Sequence, residues 1–138
     1  MHKIMALDIG TKRIGVALSD YLQVIASGVV CVERNFEALT RIEAIAKENN
    51  VAKIVVGLPL NMDGSRGEQA QDCVNFASKI TGFEVVYEDE RLTSEAAEEN
   101  LRSRKIDFRK NKSLVDIESA CIILEQYLEN KDRASSAR

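Results

Sequence analysis

Five carboxylates in this chain stand where a charge needs a reason. Asp8 closes the apolar run Lys3 to Ile9 (Lys-Ile-Met-Ala-Leu-Asp-Ile), where an unpaired charge is costly. The plain alternative is a carboxylate capping the amides of the turn that follows. Glu88, Asp89 and Glu90 come directly after the short β-branched run Glu84 to Tyr87. Spacing does not choose among these three, and an exposed acidic turn accounts for them equally well. Asp116 is more informative. Ile117, Ala120, Ile123, Leu124 and Tyr127 form one apolar stripe at helical spacing, and Asp116 projects between Ala120 and Ile123, inside it. A carboxylate on a buried face needs a cation or a hydrogen-bond network, and the helix N-terminus offers partial compensation. If the last helix crosses the sheet near its carboxyl edge, acids from distant segments converge and repel one another unless cations neutralise them. Two ions about 3.5–4 Å apart can then serve an in-line phosphoryl displacement.

The rest of the composition narrows the chemistry. His2 is the single histidine, so Ser-His-Asp, Cys-His and His-rich metal arrangements have no histidine within the body of the chain. Catalysis must use carboxylates, lysines, hydroxyls or ions held by oxygen, which favours magnesium or manganese. Cys31, Cys73 and Cys121 are odd in number and widely spaced, as expected of reduced thiols and not of a disulfide framework. The formal charge is −3, yet Arg102 to Lys112 holds six basic residues (Arg102, Arg104, Lys105, Arg109, Lys110, Lys112) against Asp107 alone. Such a stretch can grip phosphates, or simply be a solvated loop. At 138 residues, 45% apolar and 30% charged, the chain suits one soluble domain. It has neither a run of about 18 apolar residues nor a secretory leader, which makes a cytoplasmic protein the expectation.

The elements that would position these acids read as an α/β sheet. Lys3–Ile9 and Ile14–Leu18 are expected to form two strands joined by the tight turn Gly10-Thr11-Lys12-Arg13, with Val24–Val32 as a third. Asn35 is placed to cap a helix from Phe36 to Glu48, and Lys53–Gly57 reads as a buried parallel strand. A loop, Leu58 to Gly67, is expected to border the cleft as a flap that orders on nucleic acid. A helix over 68–81, a strand over 84–87, a helix from Thr93 or Ser94 to about Lys105, and a last helix over 114–129 follow. Right-handed crossovers make strands four and five parallel to the first, and function gathers at the carboxyl ends of such strands.

The motifs Asp8-Ile9-Gly10-Thr11-Lys12-Arg13-Ile14-Gly15-Val16-Ala17, Gly57-Leu58-Pro59-Leu60-Asn61-Met62-Asp63-Gly64-Ser65 and Asp89-Glu90-Arg91-Leu92-Thr93 resemble the YqgF-type nucleases. Lys112 with Asp116, Ala120, Ile123, Leu124, Tyr127 and Leu128 extends the resemblance, which runs from residue 3 to about 128. These bacterial proteins are described as Holliday junction resolvases and as nucleases maturing the 5′ end of pre-16S ribosomal RNA. The resemblance implies a ribonuclease-H-like fold: a five-stranded mixed sheet, three strands in an antiparallel meander and two parallel, with helices on both faces. It implies Asp8, Glu90 and Asp116 as catalytic residues and ligands of Mg2+ or Mn2+, and so selects Glu90 from the acidic turn. Lys12, Arg13, Arg91, Arg109, Lys110 and Lys112 are the expected nucleic-acid-binding residues. Classical resolvases of this fold carry another acid one turn before the last, where this chain has Ser113. The family's frequent Ala-Ala pair in the last helix reads Ser119-Ala120 here.

Residues 1–130 are accordingly expected to be one nuclease domain, and 131–138 a disordered tail. The expected partner is structured RNA, with branched DNA as the alternative, no membrane, and a monomer or weak homodimer. Holliday junction resolution and non-catalytic RNA binding in ribosome assembly are the rival functions. The Asp-Ile-Gly-Thr turn also resembles the phosphate loop of actin-like sugar kinases, but those need a second lobe that 138 residues leave no room for.

Overall fold

The computed structural model describes residues 1–90, 93–107 and 111–136. The strands are β1 (Lys3–Ile9), β2 (Arg13–Ser19), β3 (Ala26–Glu33), β4 (Val51–Leu58) and β5 (Glu84–Asp89), and the helices are α1 (Ala38–Glu48), α2 (Glu68–Ala77), α3 (Thr93–Ser103) and α4 (Lys112–Ser136). They form one sheet in the order β3-β2-β1-β4-β5. β2 lies antiparallel to β1 and β3, whereas β4 is parallel to β1 and β5 to β4. This is the mixed five-stranded sheet expected from the meander followed by crossovers. Among the described residues no helix is long and apolar enough to cross a membrane.

Alternation along the strands builds two cores. Met5, Leu7, Ile9, Ile14, Val16, Ile54, Val56 and Leu58 face one side, where Ala38, Ile42 and Ala46 of α1 and Ala70, Cys73, Phe76 and Ala77 of α2 cover them. Ile4, Ala6, Ala17 and Val55 face the other, under Ala120, Cys121, Ile123, Leu124 and Leu128 of α4. The parity of β1 therefore sends Asp8 to the α4 face. Helices cover both faces, and α3 packs against α4. That contact accounts for the burial of Ala97 and Leu101, and of Ile122, which lies off the main α4 stripe.

Several boundaries differ from the sequence reading. Asn35 does not cap a helix that starts at Phe36. Its Oδ1 accepts a hydrogen bond from Glu37 N at 2.9 Å, and α1 begins only at Ala38. The last helix starts at Lys112 and reaches Ser136, well past the expected end at Glu129 and into the stretch expected to be disordered. The expected end rested on apolar anchoring alone, which helix propensity does not require. Lys131 Nζ also donates to the side chain of Gln23, tying this end of α4 to the β2–β3 loop.

Glycines set how closely α4 approaches the sheet. Gly15 is the register partner of Asp8 on β2, and a Cβ there would overlap the carbonyl of Asp116. A Cβ at Gly28 would overlap Ile117, and one at Gly57 would lie 2.5 Å from Ile123 Cδ1. The register shift between Val16 and Ala17 pairs Ala17 with Gly28, so β3 brings that glycine under α4. Gly15→Ala should thus lever the first turns of α4 off the sheet. We expect a loss of about 1–3 kcal/mol, as for other overpacked sites, read as a lower urea midpoint. An unchanged midpoint would mean that α4 adjusts without cost.

Candidate active site

The carboxyl ends of β1, β4 and β5, the β1–β2 turn and the start of α4 surround a cleft of about 570 Å³. Asp8, Glu90 and Asp116 all line it, together with Lys12, Arg13 and Asn61. Each acid arrives by a separate local rule. Asp8 is the penultimate residue of β1 on the α4 face. Glu90 immediately follows β5, and its amide donates to the carbonyl of Leu58 at 3.0 Å, continuing the parallel ladder by one residue. Its carboxyl rests where a Cβ on Gly57 would come within 2.9 Å of both Cδ and Oε2. Asp116 is carried over Gly15, beside Asp8, by the close descent of α4. Convergence of the three acids thus depends on two bare backbone positions.

Asp8 and Glu90 share a side-chain hydrogen bond. Burial and the mutual repulsion of the acids raise both groups above the ordinary carboxylate range. For Asp8, burial comes first and the charge of Asp116 second, to about 7. For Glu90, burial comes first and the charge of Asp8 second, to about 9. The pair therefore holds a proton at neutral pH, as two carboxylates in one dry site must. Asp116 resolves the same problem differently. Its Oδ2 accepts a 2.7 Å hydrogen bond from Arg13 Nε and lies 3.9 Å from Cys31 Sγ.

Arg13 was expected on phosphate; in the structure it partners Asp116. Lys12 and Lys112 are exposed, and Lys12 lines the cleft. Arg91, Arg109 and Lys110 lie outside the described residues. The basic stretch is partly neutralised, since Arg104 pairs with Glu118 at 2.7 Å and Arg102 with Glu98 and Glu99. The 59–67 loop borders the cleft through Pro59, Leu60 and Asn61, as expected. It is also hydrogen-bonded to itself: Asn61 N donates to Ser65 O, Gly64 N to Asn61 O, and Ser65 N and Oγ to Asp63 Oδ1.

Sequence reasoning missed the brace behind the cleft. Arg34 grips Asp72 of α2 with both terminal nitrogens, at 2.7 and 2.8 Å, and donates to the carbonyl of Gly10 at 2.9 Å. Its guanidinium also stands over the ring of Phe76, 5.1 Å from the centroid. No spacing rule pairs residues 38 positions apart. Gly15 and Gly57 did leave a signal, because glycine inside an apolar strand marks close backbone approach.

Comparison with known proteins fits this geometry. Residues 2–130 match the RuvX family, described as Holliday junction resolvase. The chain belongs to that family. It is the family the YqgF-type motifs pointed to, and it makes the chain a nuclease, a hydrolase of phosphodiester bonds. A Crocosphaera subtropica protein named "Putative pre-16S rRNA nuclease" is 45% identical, covering 98% of this chain and 99% of its own. A Clostridioides difficile protein of the same name is 40% identical, covering 94% and 95%. Among solved structures, RuvC of T. thermophilus in complex with a Holliday junction substrate superposes with a TM-score of 0.55 at 15% identity, over 95% of this chain and 96% of that one. The fowlpox virus resolvase with its junction DNA gives 0.56 at 12% identity, over 93% and 97%. At such identities these two establish the ribonuclease-H-like fold and nothing finer.

The buried acid pair also dictates how folding responds to pH. Asp8 and Glu90 bind their protons more tightly in the folded chain than in the unfolded one, so stability falls as pH rises. Their contribution is complete below the ordinary values of 3.8 and 4.5 and is lost as pH climbs through about 7 and about 9. Urea midpoints in EDTA should therefore decline across that window, and Asp8→Asn should flatten the decline. A midpoint that climbs with pH would contradict a buried, proton-sharing pair.

Proposed function

We propose that this RuvX-family chain is a metal-dependent nuclease that trims the 5′ end of pre-16S ribosomal RNA, using Asp8, Glu90 and Asp116 as its catalytic, cation-holding acids. The observation that carries the reading is the meeting of these three carboxylates, from three distant segments, in one cleft. The names of relatives aligned along almost their full length support RNA as the substrate.

The donor set fits a hard divalent cation. All three ligands are carboxylate oxygens, suited to magnesium or manganese and poor for softer metals. Among the described residues no three acids, cysteines or histidines stand grouped so that they could hold a metal ion. Asp8 and Glu90 are bridged by hydrogen bonding, and Asp116 is held by Arg13. Asp8, Glu90 and Asp116 would hold such an ion only in place of the proton shared by the first two and the Arg13 contact of the third. When bound, such an ion neutralises charge building on the phosphate and lowers the pKa of water. The chain's own groups do the rest. Lys12 at the cleft, and Arg91, Arg109, Lys110 and Lys112, are proposed to hold backbone phosphates. Arg13, on the same turn as Lys12 but paired with Asp116, would do the same if that pair opened. Glu90, buried over Gly57 beside Ile123, is kept from bulk water, which strengthens its charge interactions.

The family's description as a Holliday junction resolvase favours branched DNA as the second reading. Cleavage of a pre-16S 5′ leader fragment beside a four-way DNA junction, both with Mn2+, separates the two. Asp116→Asn keeps size and most hydrogen bonding but removes a charge. It should abolish metal-dependent cleavage while the fold persists. Lys112→Ala should instead weaken binding and reduce its salt dependence without removing metal-dependent activity. Full activity of a folded Asp116→Asn protein would sink the three-carboxylate mechanism.

A further inference from the structure

Phe36 is 93% exposed, although a phenylalanine ring is ordinarily among the most buried side chains. Its place in the fold explains why it cannot retreat. The segment joining β3 to α1 is anchored from both ends. Arg34 N donates to Lys12 O at 2.9 Å, and Arg34 Nη1 donates to Gly10 O. Asn35 N donates to Glu33 O, Ala38 N to Asn35 O, and Glu37 N to the Asn35 side chain. Ala38, fully buried, then fixes the start of α1. Between these anchors Phe36 is held out in water at the carboxyl edge of the sheet, on the same rim as the cleft. The segment bonds directly to the Gly10–Arg13 turn that carries Lys12 and Arg13. β3 lies two strands from β1, about 10 Å in the hydrogen-bonding direction. About three stacked nucleotides at 3.4 Å each span that distance.

From this placement we infer that Phe36 is a stacking platform for an unpaired nucleobase of a strand whose backbone enters the Asp8–Glu90–Asp116 cleft. A rigid aromatic face beside phosphate-binding lysines is how single strands are held without reading sequence. A base inside a duplex has no free face to offer, so Phe36 selects for single-stranded segments flanking the cut. This inference rests on the proposed nuclease reading and adds the substrate feature that the site requires.

The chain has no tryptophan, so Phe36→Trp introduces a single indole fluorophore at the site. Binding is measured in EDTA, by anisotropy, with a labelled blunt RNA hairpin and the same hairpin bearing a single-stranded overhang. Phe36→Ala should weaken the overhang RNA about 5- to 150-fold, the range for losing one base stack, and leave the blunt hairpin within about twofold. Phe36→Trp should restore tight overhang binding, with fluorescence quenched on addition of that RNA. The same oligonucleotides made as DNA determine whether the base is taken from RNA, DNA or both, and selective loss with either supports the platform. Equal loss on both hairpins, no loss on either, or unquenched indole fluorescence when the Phe36→Trp variant is in a formed complex overturns it. So does a change of oligomeric state in Phe36→Ala without any change in overhang affinity. Wild-type protein that binds no nucleic acid overturns the nuclease reading itself; wild-type binding with an unaffected Phe36→Ala variant overturns only this inference.

Discussion

Contact between the start of α4 and bare sheet backbone governs the rest of this structure. Backbone carbonyl and amide groups of Asp116 and Ile117 lie where Gly15 would carry a side chain, and Glu90 and Ile123 occupy the space above Gly57. A helix normally rides about 10 Å above a sheet on intervening side chains. Removing those side chains at Gly15 and Gly28 lowers one end of α4 into the sheet. Because Gly15 is paired with Asp8, the lowered end delivers Asp116 beside it. The remainder of α4 stays on an ordinary apolar bed of Ala17, Val55 and Ala6.

Bringing Asp8 and Glu90 together in a dry place, with Asp116 beside them, works against folding, and the chain relieves the conflict in two ways. Asp8 and Glu90 retain a proton between them, while Asp116 takes Arg13 as a counter-ion. Both arrangements are reversible, as the proposed cation-holding role of these groups requires. A purely structural cluster of the same acids would gain from permanent partners, such as the bidentate Arg34–Asp72 pair at the back of the cleft. That pair, reinforced by Phe76 and by the hydrogen bond to Gly10, ties the β1–β2 turn to α2. The β1–β2 turn is thereby held by contacts that do not involve the cleft acids themselves.

Much of this was legible in one dimension. Alternation and β-branched runs placed all five strands, and the meander followed by crossovers implied the mixed sheet. Asp116 betrayed itself by occupying a buried stripe, and Asp8 by closing an apolar strand. Glu90 was different: its neighbours Glu88 and Asp89 have the same local pattern, and the choice came from resemblance to YqgF-type motifs. In the structure Glu88 instead accepts a hydrogen bond from Asn130 at 2.7 Å, which distance along the chain conceals.

What the sequence determined by itself was the set of elements, their faces and the lack of any histidine beyond His2, because periodicity and residue type are local properties. Only the tertiary structure decided the partners: Arg13 with Asp116 across 103 positions, Arg34 with Asp72 across 38, and Phe36 left in water at the rim. Those outcomes depend on where a helix end comes to rest against a sheet. Long-range geometry of that kind is set by the sum of many contacts, so no short window of residues encodes it.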